Sequence, residues 1–243
     1  MFDTVILLTG SAEQAALSEI LRRHNPRLTV FGAETLQNLE KLDPGVLRRA
    51  RLIGFATPTV VPARILQGLG YGAYNFHPGP PHYPGWAPAH FAIYDGATDF
   101  GATAHVMIDC VDAGPIVGVE QFGIPPHTGV VGLEELAYAQ LARLFWRLAN
   151  MLVARSDPLP SLPVRWSGQK STRRSFAAMC DIPIDISNKE LSRRIEAFGV
   201  GKLDVRPAIT LHGHRFGYIA QDAKAKIDAP SIVPAPQRIL KSA

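Results

Sequence analysis

A doubly wound α/β domain with a mostly parallel sheet, followed by a small C-terminal α+β appendage, is the fold the sequence predicts. Three observations carry it. Short, fully apolar runs such as Val5-Ile6-Leu7-Leu8 have the pattern of strands buried on both faces of a parallel sheet. These runs alternate with amphipathic helical segments, the order of an α/β fold. A long amphipathic segment, residues 134–155, ends at a proline-rich break beyond which the pattern changes. The 243 residues, 47% of them hydrophobic and 19% charged, suffice for one large domain or a medium domain with an appendage.

The elements follow in order. Residues 5–8 form the first strand. Ser11 with Gln14 three residues on reads as a capping box, opening a helix to about Arg23 with Leu17, Ile20 and Leu21 on its inner face. Residues 28–31 form a second strand. Residues 34–49 are helical in part, interrupted near Pro44-Gly45. Residues 51–56 give a strand, 62–67 a short helix, 72–76 a strand, and 102–108 an alternating strand. In residues 134–155 the positions Ala137, Leu141, Leu144, Phe145, Leu148, Met151 and Leu152 make one stripe. Glu134 and Glu135 early and Arg143, Arg147 and Arg155 late complement the helix dipole. The expected organisation is therefore a main domain over 1–155, a linker over 156–166 and a small C-terminal region over 167–243. That region holds a helix over 188–198 and two strands, 208–211 and 215–220, flanking His212-Gly213-His214. It ends in an exposed tail over the last twenty or so residues.

Formal charge is +4, with basic clusters at Arg22-Arg23, Arg48-Arg49-Arg51, Lys170 to Arg174 and Arg193-Arg194. A phosphate-bearing ligand, a nucleotide-sugar or tRNA fits these clusters, and solvated surface is the simpler reading. Cys110 and Cys180 lack any metal-ligand or CxxC spacing and read as small buried hydrophobes. His82 and His90 lack the spacing of a metal pair, so no metal is assigned. The N-terminus does not read as a signal peptide, and no run approaches the ~20 apolar residues that span a bilayer. The expectation is a cytoplasmic protein with no membrane association.

The chemistry concentrates in Asn75-Phe76-His77-Pro78-Gly79-Pro80, answered by Val111-Asp112-Ala113-Gly114-Pro115-Ile116. Two residues apart on an extended segment, Asn75 and His77 project to the same side, and the proline-glycine cluster after them ends the strand there. Alone, Asn75 caps a turn, Asp112 is a turn residue before Gly114, and His77 is a surface histidine. Together they form equipment for acyl transfer to nitrogen. Asn75 offers an N–H to an oxyanion. His77 donates to the same oxygen or relays a proton. Asp112 raises the His77 pKa and orients the ring, or orders a relaying water. His105, alternating with Thr103 and Met107, lines the site or belongs to the core.

At these residues the chain resembles the folate-dependent formyltransferases, a family that includes glycinamide ribonucleotide, methionyl-tRNA and sugar N-formyltransferases. Four elements carry the likeness in the family order: Asn75-Phe76-His77-Pro78, His82-Tyr83-Pro84-Gly85, Gly101-Ala102-Thr103-Ala104-His105 and Asp112-Ala113-Gly114-Pro115-Ile116. The resemblance implies a Rossmann-like catalytic domain over 1–155, 10-formyltetrahydrofolate as formyl donor, and Asn75, His77 and Asp112 as the catalytic set. It implies that Thr57, Pro58, Thr59, Val60 and Val61 wrap the pterin on one edge, with Cys110, Val111 and Asp112 on the other. His82, Tyr83, Trp86 and His105 are the candidates for the acceptor side.

The loop Thr9-Gly10-Ser11-Ala12-Glu13 lacks a Gly-rich phosphate cradle, which favours an amino-sugar or other metabolite over glycinamide ribonucleotide. A weaker likeness after the linker, from Ile186 to Phe198 and from Pro207 to Leu211, is to the tRNA and sugar enzymes. The chain after it is short for a full tRNA-binding barrel. A tRNA acceptor is thus open but not favoured. The alternatives are hydrolysis of 10-formyltetrahydrofolate and folate binding without turnover. Nothing in the sequence bears on oligomeric state.

Overall fold

The computed structural model describes residues 2–201 and 203–219. Six strands form the main sheet: β1 (Thr4–Leu8), β2 (Thr29–Ala33), β3 (Ala50–Phe55), β4 (Ala73–His77), β5 (Asp99–Val106) and β6 (Ile116–Gly123). Their spatial order is β2-β1-β3-β4-β5-β6. The first four are mutually parallel, while β5 runs antiparallel to β4, and β6 to β5. The interleaved helices are α1 (Ser11–His24), α2 (Leu36–Glu40), α3 (Pro44–Arg49), α4 (Ala63–Leu66), α5 (Pro88–Asp95) and α6 (Val130–Ala154). Beyond them lie α7 (Arg173–Cys180), β7 (Asp181–Ile182), α8 (Asn188–Phe198), β8 (Ala208–Leu211) and β9 (His214–Gly217). β7, β8 and β9 form a separate three-stranded sheet. The expected mixed, mostly parallel α/β architecture with a small C-terminal α+β part is what the chain adopts.

The two faces of the sheet divide its residues by parity. Val5, Leu7, Ile53, Phe55, Tyr74, Phe76, Ala102 and Ala104 pack against Leu17 and Leu21 of α1 and the Leu141–Leu152 stripe of α6. On the opposite face Ile6, Leu8, Leu52 and Ala73 meet Leu39, Val61 and Ile65, with Leu36 and Leu47 beside them. Asn75 and His77 share the parity of Ala73. They therefore project away from α6, onto the α2–α4 face.

Several local expectations are corrected. Ser11 does not cap α1: Gly10 is the N-cap and provides no side-chain bond. The Ser11 hydroxyl lies one residue too far into the helix, and the Gln14 amide instead donates to the Thr9 carbonyl at 3.1 Å. Reciprocal capping boxes occur instead at α2, between Thr35 and Asn38, and at α7, between Thr172 and Ser175. The interruption expected near Pro44-Gly45 is present, as the break over 41–43 between α2 and α3, and Pro44 opens α3 because a first-turn residue needs no N–H donor there. α5, β6, α7 and β7 are additional elements. α5 spans only eight residues between two left-handed caps, Ala87 and Gly96, too few for its period to stand out. In the C-terminal hairpin the turn is His212-Gly213 and His214 already lies in β9. Cys180 is buried as expected, but Cys110 is exposed on a loop. The exposed tail expected over the last twenty or so residues lies outside the described residues. No described helix is long and apolar enough to cross a membrane.

Residues 156–166 contain no helix or strand, yet they are tied to the sheet. Leu159 is buried and its N–H donates to the Tyr74 hydroxyl at 2.9 Å. Leu162 N–H donates to Ile116 O at 2.7 Å. Arg51, read from the sequence as one of a solvated basic cluster, is fully buried instead. Its guanidinium donates to the carbonyls of Leu152, Arg155, Ser156, Asp157 and Tyr71, closing the end of α6. Burial lowers its pKa, against the raising influence of Tyr74 and Asp157. Arg51→Leu leaves buried acceptors without a donor, so it is expected to cost about 3 kcal/mol or more. A urea midpoint unchanged from wild type would refute that role for Arg51.

The C-terminal elements dock on α5. Phe198 and Phe176 pack around His90, whose Nδ1–H donates to Ala197 O at 2.7 Å. The Tyr94 hydroxyl donates to Glu190 of α8 at 2.7 Å.

Candidate active site

Asn75 and His77 reach the site because β4 ends there. Asn75 lies opposite His105 on β5 and Gly54 on β3, and His77 lies opposite Thr103. On β5 the same parity argument holds: Ala102 and Ala104 face α6, so Thr103 and His105 face the site. Asp112 arrives on the loop after β5, in a left-handed conformation with φ of 46°. That backbone is uncommon for a residue with a Cβ, and the bonds the carboxylate makes hold it there.

Those bonds are specific. Asp112 Oδ2 accepts the Gly85 N–H at 2.8 Å and lies 3.5 Å from His77 Nδ1. Asp112 Oδ1 lies 3.1 Å from His105 Nε2. His77 Nε2 lies 3.0 Å from the Tyr83 carbonyl. A carbonyl only accepts, so Nε2 carries a hydrogen and neutral His77 presents the Nδ1 lone pair toward Asp112. His105 Nδ1 likewise donates to Val106 O at 2.9 Å. His105 Nε2 is shared: it accepts from Asn75 Nδ2 at 3.2 Å when unprotonated and donates to Asp112 when protonated. Asn75 Oδ1 is buried without a hydrogen-bond partner.

Burial dominates the electrostatics of this cluster. It pushes the His77 pKa down, and the raising influences of Asp112 and of the Tyr83 hydrogen bond do not offset it. The sequence-based expectation of a raised His77 pKa is thus reversed, because His77 is only 5% exposed. Burial alone would raise Asp112, but His77, His105 and the Gly85 N–H outweigh it and bring the carboxyl to about 2. At neutral pH the cluster holds a carboxylate beside a neutral His77.

A cavity of about 520 Å³ opens beside these residues. Asn75, His77 and Asp112 line it, as do Thr57, Pro58, Thr59, Val60 and Val61 from the loop after β3. Cys110 and Val111 form a further part of the wall, with Met107 and Ile108. Of the four acceptor-side candidates, Trp86 and His105 line the cavity. His82 is exposed, with Nδ1 3.4 Å from Ser167 Oγ. Tyr83 turns its ring toward Phe100 and contributes its carbonyl to His77.

Sequence reasoning missed three contributors. Gly54 gives Asn75 its room: a Cβ there would lie 2.9 Å from Asn75 Oδ1 and 2.6 Å from Met107 Cε. Its signal was visible, a lone glycine inside an apolar strand. Trp166, from the segment read as a linker, sets its ring edge-on to His105 and His77, with centroids at 5.1 and 5.9 Å. Its Nε1–H donates to Gly114 O at 2.8 Å. Residues 170–173 complete the wall by pairing Ser171 with Gly85 in an isolated parallel bridge. The basic cluster Lys170 to Arg174 was visible in the sequence, but no local pattern announced its pairing with Gly85 or the Trp166 contacts.

Comparison with known proteins supplies independent findings. The family model described as Formyl transferase matches residues 5–140. Methionyl-tRNA formyltransferase of Lysinibacillus sphaericus is 34% identical over 156 residues, covering 60% of this chain and 44% of that protein. The enzyme of the same name from Listeria monocytogenes serotype 4a is 27% identical over 140 residues, covering 56% and 45%. This chain therefore spans less than half the length of these relatives. Among solved structures, a sugar N-formyltransferase from Shewanella sp FDAARGOS_354 superposes with a TM-score of 0.73 at 15% identity, over 90% of this chain and 97% of that one. A 4-N formyltransferase from Francisella tularensis gives 0.67 at 16% identity, with the same 90% and 97% coverage. At such identities these two likenesses speak for the fold. The family model covers more than half of the chain, and on that match the protein belongs to the formyl transferase family.

Proposed function

We propose that the chain is an N-formyltransferase that moves the formyl group of 10-formyltetrahydrofolate to the amine of a small or nucleotide-linked acceptor, an amino sugar being favoured. The observation that carries this reading is the meeting of Asn75, His77 and Asp112 around one cavity, with Asn75 Oδ1 buried and unpartnered. The cavity falls in the volume range of small-molecule sites. Its wall combines apolar Val60, Val61, Met107 and Ile108 with loop backbone after β3 and β5, which suits a flat, polar-edged pterin. The structure of a Helicobacter canadensis N-formyltransferase contains folinic acid and dTDP-3-aminofucose, and that pairing supports a folate donor with a nucleotide-linked acceptor. A tRNA acceptor is the second reading, favoured by the methionyl-tRNA enzymes among the sequence relatives.

The donor supplies an activated formyl group, and the protein's residues manage charge and protons. One Asn75 N–H is held by His105, leaving the second for the formyl oxygen as negative charge develops on it. His77 takes the amine proton at Nδ1, the resulting cation faces the Asp112 carboxylate, and the proton passes on to the leaving nitrogen. Burial disfavours that cation while Asp112 favours it, so the proton is held only transiently.

Donor-dependent formylation across a panel of amines, including amino sugars, their nucleotide-linked forms and methionyl-tRNA, tests the proposal. Calorimetry with 5-formyltetrahydrofolate tests the donor site directly. No heat and no protection against thermal unfolding would remove the folate assignment. Asn75→Ala is expected to lower turnover by roughly 10²–10³. Affinity for 5-formyltetrahydrofolate should change far less, because the lost bond strengthens only in the transition state. Equal losses in affinity and turnover would instead make Asn75 a binding group.

A further inference from the structure

The segment after α6 contributes an aromatic ring that takes no direct part in the proton steps. Trp166 does not line the cavity, yet its ring centroid lies 5.1 Å from that of His105 and 5.9 Å from that of His77. Backbone bonds fix its place on both sides. Leu162 N–H donates to Ile116 O at 2.7 Å, and Ser167 N–H donates to Pro81 O at 3.0 Å. Gly168 permits the second approach, since its φ is 78° and a Cβ there would lie 2.2 Å from His82 O. Between these two anchors the Trp166 indole N–H donates to Gly114 O at 2.8 Å.

The two loops joined in this way are the ones that hold the reacting groups. Asp112 lies just before Gly114, in a left-handed backbone conformation that depends on outside support. Pro81 belongs to the loop that gives the Tyr83 carbonyl to His77 Nε2 and the Gly85 N–H to Asp112 Oδ2. Gly114 is itself pressed against β5, where a Cβ would lie 2.0 Å from Val106 O. The carbonyl that receives the indole bond therefore has little freedom to move. A ring set against two histidines also displaces water from them. His77 is buried, and burial is the largest influence on its pKa, which it lowers.

We propose that Trp166 is a positioning residue for formyl transfer, one that pins the Asp112 loop to the residue 80–86 loop and shields the His77–Asp112 pair from water. It acts through that pair and not on a ligand, because its ring stays off the cavity wall. Trp166 lies beyond residue 140, where the family match ends, so the matched region alone does not complete the site. The role rests on the N-formyltransferase reading; the placement of the ring does not.

The test uses the full chain with ring-labelled histidine. NMR titration of His77, assigned by its absence in His77→Ala, is read beside kcat, donor KM and the pH–rate profile. Trp166→Ala is expected to raise the pH at which His77 titrates, since water regains the ring. The acid limb of the pH–rate profile should move to higher pH with it, opposite to the shift expected when the Asp112 charge is lost. Its kcat should fall about 10²-fold, the scale for a reacting group misplaced by a distant change. Donor KM should change by less than about twofold. Trp166→Phe keeps the ring cover but loses the bond to Gly114 O. Its His77 should titrate as in wild type, and its kcat should fall only about tenfold. A merely structural Trp166 would lower the thermal midpoint of Trp166→Ala while the folded variant kept wild-type kcat and acid limb, and that result overturns the proposal. A His77 titration that stays in place or falls in Trp166→Ala overturns it too. Should Trp166→Ala not fold, Trp166→Phe decides: wild-type kcat overturns the proposal and the partial loss supports it. The titration needs no substrate, so a shifted His77 in a protein that transfers no formyl group supports the placement of Trp166 and refutes the functional reading.

Discussion

His77→Ala is expected to lower formyl transfer by roughly 10³–10⁴, the largest effect of any single change at the site. The variant removes the one nitrogen of the His77 ring that is beside Asp112 and free to take a proton, since His77 Nε2 is committed to the Tyr83 carbonyl. It also leaves that carbonyl without its donor, so some stability should be lost, about 1–3 kcal/mol for a buried acceptor. Turnover is therefore to be compared at a temperature well below the variant's own unfolding midpoint. Folded His77→Ala with near wild-type turnover would sink the mechanism and leave the family membership intact.

Asp112→Asn should lower turnover by roughly 10³, comparable to the loss when a carboxylate that orients a catalytic histidine becomes an amide. It keeps an acceptor for the Gly85 N–H but withdraws the charge that favours protonated His77. The His77 pKa, already lowered by burial, should fall further, moving the acid limb of the pH–rate profile to lower pH. An acid limb that stays in place would show that another group sets it. Stability carries a second signature. The folded Asp112 pKa is about 2, below its ordinary 3.8. Its contribution is therefore present above the ordinary value and lost as pH falls from there toward about 2. His77 acts in the same direction, since below its ordinary pKa the unfolded chain takes up a proton that the folded chain resists. The thermal midpoint of the wild type should thus decline with acidification from mildly acidic pH. In Asp112→Asn the portion below pH 3.8 should flatten.

The legible parts of the structure were those written in local periodicity. The apolar runs at β1 and β3 lie in the interior of the sheet, and their burial on both faces leaves no alternation to obscure them. The stripe of α6 was visible because its apolar residues recur over many turns. α5 and α7 went unread because eight residues give barely two turns of evidence. β6 went unread because its outer half is partly exposed and polar, and its pairing with β5, not its own pattern, makes it a strand. The grouping of Asn75 with His77 followed from strand parity. The position of Asp112 beside them depends on a left-handed backbone and on bonds to Gly85 and His105, none of which is local in sequence.

The sequence by itself determined the fold class, the family and the face of β4 on which Asn75 and His77 lie, because alternation, helix period and motif order are properties of neighbouring residues. Tertiary structure alone decided the charge state of the cluster. Burial beneath Trp166 and the residue 80–86 loop reverses the expected direction of the His77 pKa, and desolvation depends on what the rest of the chain covers. It alone decided that Arg51 ties off α6 instead of meeting solvent, and that His82 stays outside the cavity. It also brought Lys170 and Arg173, more than fifty residues after Asp112, to the same cavity, through a backbone pairing at Gly85. Long-range contacts of that kind are fixed by packing and hydrogen-bond completion, for which a linear sequence carries no periodic signal.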